Sequence, residues 1–545
     1  MPRLFWGTYV KRTFISAAAI LAFSAAAGHA DELTDIQAQA KQLREQNAAM
    51  TKRLADLEKR QKALETSKPV LINPVDAMAA DLPYKAAVKA KPPENDDICI
   101  KGICVYGNID MGVMYQNHGA PFAPEAGGPL DYLTSKNSNG AYFGVAANMI
   151  STSFIGLRGK QEIADNLYAV FNLQTLFNPA SGNNANGPLS VSLNNGLTTS
   201  IAAQNAFGDS SKGGQMFNNA AYFGLSSPTY GTFTMGRQSA LSSDLIVNYD
   251  PLSGSNAWSV ITYQGANGGG GNTENRIYDN SYEYRLNVGP VRLAAEVQAK
   301  TGGNSSTGNA FEGNIGFDYM GFSLDFVGGK IYDSVGIGSS PLAASVVTAA
   351  NAAGIAIGQG YVPATVSDNT VFSVGARYTI GPWKFFGGYE WIQYANPNNP
   401  LNPGAIVQGA FIAPAPNNTN FTTDKVLQTA WVGVRYAITP ALDITGAYYH
   451  EWQNSFVNST NPTGTCSTAI ATSCSGTLDA VSMVIDWRFA RHVDVFAGVM
   501  WSQLNNGLAS GFLLANGSNS GVNNNVTGSN HASSFDPGVG LRYQF

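Results

Sequence analysis

The sequence predicts an all-β transmembrane fold: a sixteen-stranded antiparallel β-barrel with an inward-folded third loop, preceded by a short α-helical coiled coil. Beyond Gly102, apolar and polar residues alternate with period two, in segments of roughly 9–11 residues or somewhat longer, as tilted membrane strands require. The connections between these segments alternate strictly between short and long, a pattern typical of membrane barrels and without purpose in a soluble sandwich. No run of about 18 apolar residues follows the N-terminal region, which excludes helical membrane spans.

Composition narrows the classes of partner and cofactor. The 545 residues carry a formal net charge of −5, and only 13% of them are charged. A nucleic-acid partner requires a clustered basic footprint, so we expect none. With five His and four Cys, little material exists for a transition-metal site, and we expect neither a metal nor another cofactor.

The first thirty residues have the pattern of an export signal. Arg3, Lys11 and Arg12 precede an apolar run, and small residues at Gly28 and Ala30 follow it. We therefore interpret 1–30 as a signal peptide cleaved after Ala30, with a buried first helix as the alternative. Export would place the cysteines in an oxidising compartment.

Residues 31–65 are predicted to form a periplasmic coiled coil. From Leu33 the apolar residues keep a strict 3-4 spacing, and every d position is apolar: Ile36, Leu43, Met50, Leu57 and Leu64. Such a helix must bury its seam, so the pattern indicates oligomerisation. The alternative is an amphipathic helix packed on the periplasmic rim of the barrel. Residues 66–97, rich in Pro, Ala and Lys, are interpreted as a linker.

Residues 98–545 are predicted to be the transmembrane barrel domain. The sixteen predicted strands are 102–116, 151–160, 166–177, 217–226, 230–238, 275–287, 290–300, 309–319, 321–332, 369–380, 382–394, 425–438, 440–453, 477–489, 491–505 and 532–545. The long connections are rich in Gly, Asn and Ser, whereas the short ones are tight turns. An even strand count with such alternation is typical of the bacterial outer membrane.

The alternation within strands separates a lipid face from a lumen face. In 477–489, Val481, Met483 and Ile485 share one side, and Ser482 and Asp486 lie on the other. A charge facing lipid at the midplane costs about 2–4 kcal/mol, so the charged side must face the lumen. By this rule a repeated motif directs four arginines inward, namely Arg158, Arg377, Arg435 and Arg542. They would form a basic wall, or each would pair with a lumen carboxylate such as Asp110, Glu390 or Asp486.

The third long connection, 239–274, differs from its neighbours. Its first half is apolar enough to pack on an inner wall, yet it carries Asp244 and Asp250. We predict that it folds back into the barrel, carries these two residues with it and forms the narrow part of a pore. Alternatively, Asp244 caps a short helix that Ser242-Ser243-Asp244 begins.

The four cysteines permit one reasonable pairing. Cys99 and Cys104 lie near the start of the first strand, whereas Cys466 and Cys474 lie in one outer loop. These pairs should sit at opposite ends of a barrel whose apolar band is about 25 Å tall. A disulfide needs Cα atoms within about 7 Å, so we expect Cys99–Cys104 and Cys466–Cys474.

Several stretches in order resemble one known family. They are VYGNIDMGVMY (105–115), SFIGLRGKQEIADNLYAVFNLQ (153–174), YFGLSSPTYGTFTMGRQ (222–238), NRIYDNSYEY (275–284) and the terminal GLRYQF. In these the chain is similar to the Gram-negative general porins, the trimeric sixteen-stranded family of proteobacteria. The resemblance implies a homotrimer in outer-membrane lipid that passes ions and small hydrophilic solutes by passive diffusion. It also implies that Asp244 and Asp250 form an acidic constriction, facing Arg158, Lys160, Arg377 and Arg435.

Other functions predict features that can be sought. An outer-membrane enzyme would need a nucleophile and a base, but the five His residues lie in no recognisable Ser or Cys motif. We therefore expect no enzyme. A structural protein would use the coiled coil to contact the cell wall and tether the envelope. A substrate-specific channel of the same fold would show saturable conductance with one solute.

Overall fold

A computed structural model describes most of residues 98–545 and a few isolated residues. The described ranges are 98–100, 102–119, 141–184, 216–264, 277–299, 309–337, 364–400, 417–458, 474–508 and 531–545, with Lys41, Lys52, Tyr132 and Ala352. The chain divides into two compact units, Met1–Leu71 and Ile72–Phe545. In the first unit only Lys41 and Lys52 are described, and both are helical. The predicted signal peptide, coiled coil and linker otherwise lie outside the described residues and stay predictions.

Within the described residues, the second unit consists of β-strands, many of them joined by short turns, and two short helices whose bounds are described. In chain order the strands are β1 (Ile98–Ile100), β2 (Ile103–Gln116), β3 (Tyr142–Ala147), β4 (Phe154–Ala164), β5 (Leu167–Leu176), β6 (Ala220–Ser227), β7 (Gly231–Ser239), β8 (Ile277–Val288), β9 (Val291–Gln298), β10 (Ala310–Tyr319), β11 (Phe322–Ile337), β12 (Ala364–Ile380), β13 (Trp383–Ala395), β14 (Asn417–Asn418), β15 (Phe421–Thr423), β16 (Lys425–Thr439), β17 (Leu442–Gln453), β18 (Val457–Asn458), β19 (Gly476–Ala490), β20 (Val493–Asn506) and β21 (His531–Gln544). The helices are α1 (Leu241–Tyr249) and α2 (Val260–Gln264).

Sixteen of the described strands close into one antiparallel ring. Each ring strand pairs with the next along the chain, and β2 pairs with both β4 and β21. The last residue completes the closure, because Gly107 and Phe545 exchange backbone hydrogen bonds of 2.8 and 3.0 Å. The short strands β1, β3 and β14 extend this sheet, and β15 and β18 form a separate pair. The predicted sixteen-stranded antiparallel barrel is confirmed.

All sixteen predicted segments correspond to ring strands, but the short strands β1, β3, β14, β15 and β18 were not predicted, and β3 is the longest of them. Strand β3 lies inside the expected first long loop and pairs with Met111–Gln116 of β2. The adjoining part of β2, Ile103–Asn108, pairs with β4 instead. Six residues are too few for a period-two signal to stand out, so the sequence does not reveal that two segments share one neighbour.

The two faces of the wall have the predicted character. On β19, Val481, Met483 and Ile485 are exposed on the outer face, whereas Ser482 and Val484 between them are buried. Buried polar and charged side chains alternate with exposed apolar ones along most ring strands. Within the described ranges, no helix is long and apolar enough to cross a membrane. The largest apolar cluster lies inside the ring, between the wall and the chain that follows β7.

Candidate functional site

The connection from β7 to β8, residues 240–276, is the inward loop, and it is described as far as Gln264. It begins with α1, whose first turn is held by the wall. Glu312 on β10 accepts hydrogen bonds from the backbone N–H and the hydroxyl of Ser242, at 2.8 and 2.7 Å. The first N–H groups of a helix have no partner within it, so this wall carboxylate replaces a side-chain cap. The predicted short helix is present, and Glu312 rather than Asp244 accepts the hydrogen bond from the backbone N–H of Ser242 in its first turn.

Asp244 faces a carboxyl-rich part of the wall. It forms an ion pair with Arg285 on β8, which also binds Glu283 at 2.6 Å. About a fifth of the Asp244 side chain (22%) and 27% of Arg285 stay exposed. Burial raises the pKa of Asp244 to about 6, against the lowering effect of Arg285 and with a further rise from Glu283. Asp244 is therefore an acidic group that titrates close to neutral pH.

Three glutamates stand side by side beneath α1. In the strand register Glu283 lies opposite Glu296, and Glu296 lies opposite Glu312. Like charges placed directly opposite each other destabilise a sheet, so this row needs compensation. Arg285 compensates Glu283, and the start of α1 compensates Glu312. Neither oxygen of Glu296 has a hydrogen-bond partner in the described part of the chain.

Further along, two of the predicted arginines hold the backbone of the inward loop. Arg377 on β12 donates to the Asn248 carbonyl at 3.2 Å. Arg435 on β16 donates to the Pro251 carbonyl and to the Ser253 hydroxyl, both at 2.9 Å. Their positive charges thus lie against the loop, and their guanidinium groups position it.

Asp250 is buried, whereas a residue of the implied acidic constriction would be exposed to the lumen. Its side chain is fully inaccessible and accepts hydrogen bonds from the Tyr449 hydroxyl at 2.6 Å and the Gly254 N–H at 2.7 Å. Burial raises its pKa, although these hydrogen bonds act in the opposite direction. The burial has two physical causes: the carboxylate satisfies the turn at Asp250–Gly254, and the distant Tyr449 hydroxyl ties it to β17.

The far part of the inward loop is fixed by Trp258. This ring is fully buried, and its indole N–H donates to the Asp536 carbonyl at 3.0 Å. The Trp258 carbonyl accepts a hydrogen bond of 2.6 Å from Ser482 on β19. Because its contacts begin at β8 and β10 and reach β19 and β21, the loop follows much of the inner wall.

A second segment inside the ring, residues 148–153 between β3 and β4, contacts the inward loop. Its backbone is held by the carboxylate of Asp110. That carboxylate accepts the N–H groups of Met149, Ile150 and Ser151 at 2.9, 3.0 and 2.8 Å. The Met149 carbonyl then accepts the N–H of Ala257 at 2.9 Å.

Glycines on the wall allow the loop to lie close to it. A Cβ at Gly375 would lie 2.5 Å from Cγ of Tyr249, and one at Gly498 would lie 2.7 Å from the Trp258 ring. A Cβ at Gly433 would meet Pro251. These glycines on β12, β16 and β20 form the glycine seat of the loop. Its residues are inconspicuous in the sequence, because glycine is common throughout these strands.

The remaining predicted basic residues do not touch the described part of the loop. Arg542 binds Asp494 at 2.5 Å, so its expected pairing with a carboxylate is present with a different acid. The guanidinium of Arg158 lies 4.6 Å from the ring centroid of Tyr106. The ammonium of Lys160 lies 4.2 Å from that of Tyr168. Their predicted role at a constriction stays a prediction.

The cysteine prediction is met at the start of the barrel. Cys99 and Cys104 are joined by a disulfide across β1 and β2. Gly102 makes the turn with a φ of 81°, a conformation that favours glycine. Cys474 is also disulfide-bonded, and its expected partner Cys466 lies outside the described residues.

Several residues at the site were not predicted. Arg285 and Arg292 belong to the wall below α1, and Arg292 binds Asp325 at 2.9 Å and the Tyr249 hydroxyl at 3.0 Å. The inward parity of β8 and β9 is the signal that could have revealed them. Across the described residues, no group of three or more His, Cys, Asp or Glu side chains is arranged to hold a metal ion.

A closed ring with an apolar outer face, a charged inner face and an inward loop defines a membrane-channel barrel. The profile of the Gram-negative porin family matches residues 77–506, and the chain belongs to that family. It is accordingly an outer-membrane protein and not an enzyme.

Individual relatives are distant. An outer membrane porin protein of Bordetella pertussis is 27% identical over 150 residues, which span 28% of this chain and 31% of that protein. The anion-selective porin from Comamonas acidovorans is 15% identical, with a TM-score of 0.49 over 81% of this chain and 99% of that one. OmpT of Vibrio cholerae is 12% identical, with a TM-score of 0.48 over 83% and 100%.

Proposed function

We propose that the protein is a water-filled outer-membrane channel through which ions and small hydrophilic solutes diffuse passively. The observation that carries this proposal is the inward loop, which is held against the charged inner face of a closed ring by Arg377, Arg435 and Trp258. A loop fixed in this way narrows the passage without moving, so flux needs no conformational cycle. Size would be selected by the remaining width, and charge by the groups that line it.

The wall charges near α1 support selection by sign. The carboxyl groups here outnumber the two bases, Arg285 and Arg292; they belong to Asp244, Glu283, Glu296, Glu312 and Asp325. Arg158 and Lys160 lie on β4, four strands along the ring from β8, and Arg542 lies on β21, where it is paired with Asp494. Acids on one side and bases on another would create a field across the lumen, which orients dipolar solutes and disfavours apolar ones. We infer that Asp244, and not Asp250, is the loop carboxylate that solutes meet.

Conductance in planar bilayers tests the proposal directly. Purified protein added to one side should produce stable steps whose current is proportional to voltage. Under a salt gradient, the reversal potential reports whether cations or anions pass more easily. If no stable ohmic steps appeared with correctly folded protein, the channel proposal would be wrong.

We further propose that the protein is a homotrimer whose N-terminal helices form a periplasmic stalk. The predicted heptads of 31–65 support this assembly, and the two described residues in that range, Lys41 and Lys52, are helical. Three helices whose d positions are all apolar bury seams that a single helix would expose. Contact of this stalk with the cell wall stays a prediction.

A further inference from the structure

The outer face of the barrel has an open groove. It has a volume of about 810 Å³ and lies on strands β9–β13. Gly313 and Gly328 lie opposite each other at its centre. A Cβ placed on Gly313 would have no atom within 4 Å. The groove therefore exists because two paired positions on the lipid face carry no side chain.

The walls of the groove are apolar. Phe311 and Ile315 flank Gly313 along β10, and Phe326 flanks Gly328 along β11; all three are exposed on the outer face. Phe372 on β12 is also exposed and closes another side. An exposed apolar recess of this kind is filled by hydrocarbon in a membrane, since water gains no hydrogen bonds there.

One cation lies within the lining, at the end of the groove toward the long loops. Lys330 has the outward parity of Phe326 and Gly328, and its ammonium lies 4.8 Å from the ring centroid of Tyr332. Lys330 lies roughly 20 Å above the short turn that precedes β11, measured along the barrel axis. This height assumes a rise of ~3.3 Å per residue and a strand tilt of ~40°. The apolar band is about 25 Å tall, so the ammonium can reach the headgroup region of the outer leaflet.

We propose that this groove binds lipid A of the outer leaflet, with an acyl chain between the phenylalanines and a phosphate on Lys330. The apolar walls select a hydrocarbon chain, and the lysine at the outer end selects an anionic headgroup. A zwitterionic lipid would fill the groove without neutralising the lysine. Basic residues next to apolar recesses recognise anionic lipid headgroups in this manner.

The test uses full-length protein and native mass spectrometry in mild detergent, titrated separately with lipid A, phosphatidylglycerol and phosphatidylethanolamine. Gly313→Leu fills the groove without meeting the backbone. Gly446→Leu is the matched control, because Gly446 also has open space around its Cβ but lies outside the groove on β17. Lys330→Gln removes the cation alone. We expect lipid A to bind the wild type most tightly, Lys330→Gln to weaken it about fivefold, and Gly313→Leu to abolish the bound species while Gly446→Leu retains it.

Other outcomes would overturn the proposal. Equal lipid A binding by Gly313→Leu and Gly446→Leu would show that lipid binds elsewhere. Equal binding of phosphatidylglycerol and lipid A by the wild type would exclude the outer-leaflet lipid as the specific ligand. A photo-crosslink from position 311 to a second copy of the chain would instead make the groove an interface between protomers. Unchanged single-channel conductance of Gly313→Leu establishes that this variant is folded.

Discussion

Asp244 combines a raised pKa with partial exposure, so its charge can change near neutral pH while it remains in reach of solutes. Its pKa of about 6 follows first from burial, with Glu283 adding to the effect and Arg285 opposing it. An acid is charged above its pKa and neutral below it. Acidification through pH 6 therefore removes one negative charge from the surroundings of Arg285, which leaves that side of the lumen more positive.

This behaviour gives a prediction about ion preference. Lowering the pH from about 7.5 to about 5 should move the reversal potential of the wild type toward anions. Asp244→Asn should show the shifted value already at the higher pH. The change in permeability ratio should be at most about fivefold, since one unit charge at ~4 Å in water contributes ~1 kcal/mol. Bilayer recordings under a salt gradient at both pH values provide the measurement.

Asp250→Asn is the matched control for this prediction. It removes the other loop carboxylate, which is buried against Tyr449. We expect an unaltered reversal potential and a loss of about 1–3 kcal/mol in stability from the disrupted hydrogen bonds. If Asp250→Asn shifted ion preference as much as Asp244→Asn, the assignment of the lumen-facing acid to Asp244 would be incorrect.

Arg435 is a positioning residue whose removal should loosen the loop. Arg435→Met keeps much of the side-chain volume but cannot make the hydrogen bonds to Pro251 and Ser253. Removing each bond to a charged group costs about 1.5–3 kcal/mol. We expect noisier open-channel current with a ring that still folds, because the missing hydrogen bonds hold the loop and not the strands. Lys160→Met removes a wall cation that does not touch the described part of the loop, and it should leave the noise at the wild-type level.

The residue scale also shows where sequence patterns reach their limit. Alternation on β12 and β16 correctly directs Arg377 and Arg435 inward, because parity depends only on the strand itself. The difference between Asp244 and Asp250 depends on Tyr449, which is about two hundred positions away in the chain. No local pattern contains that information. The sequence therefore placed Asp250 correctly in the inward loop but did not predict that its carboxylate is buried.

At the scale of elements, the inward loop and its glycine seat form one packed unit. The loop supplies Tyr249, Pro251 and Trp258, and the wall supplies glycines opposite each of them. Protein interiors are packed densely enough that one added methyl group is felt. The wall glycines therefore set how far the loop stands from the wall, and with it the width of the passage.

Substitution within the seat should narrow the channel. Gly375→Ala and Gly498→Ala each place a methyl group against the side chain of a loop residue, Tyr249 or Trp258. The three atoms nearest to each new Cβ are side-chain atoms and not backbone atoms. We expect lower single-channel conductance and a stability loss of about 1–3 kcal/mol from overpacking. Gly446→Ala, on the open outer face, should change neither quantity. Conductance equal to that of the wild type in both seat variants would show that loop position does not limit flow.

Strand prediction succeeded where loop routing did not, for a physical reason. Apolar and polar residues must alternate along a membrane strand because lipid lies on one side and water on the other. Strands such as β19 and β21 can therefore be predicted from their own residues. The route of the loop is instead fixed by contacts with Glu312, Gly498 and Asp536 on distant strands. Its apolar first half indicated packing on a wall, but no feature of the segment indicated which strands.

At the scale of the whole molecule, we expect the barrel and the N-terminal region to have separable tasks. Ring closure depends on β2 and β21 and on backbone hydrogen bonds between Gly107 and Phe545. None of these groups belongs to 31–97, so the channel should form without that segment. The predicted heptads should instead determine how firmly protomers associate.

Replacing Leu43 and Leu57 by Asp tests this division of tasks. Charges at two d positions would prevent the helices from burying their seam, since buried unpaired charges are strongly unfavourable. We expect the single-channel conductance to be unchanged and the trimer to dissociate at a lower temperature, as measured by native mass spectrometry on heating. Deletion of 31–97 should have the same effect, whereas Lys41→Gln, at a solvent-facing heptad position, should have none. Trimers that dissociate at the wild-type temperature in both disrupted variants would show that the barrel walls alone hold the assembly, and a lower conductance would show that the stalk is part of the pore.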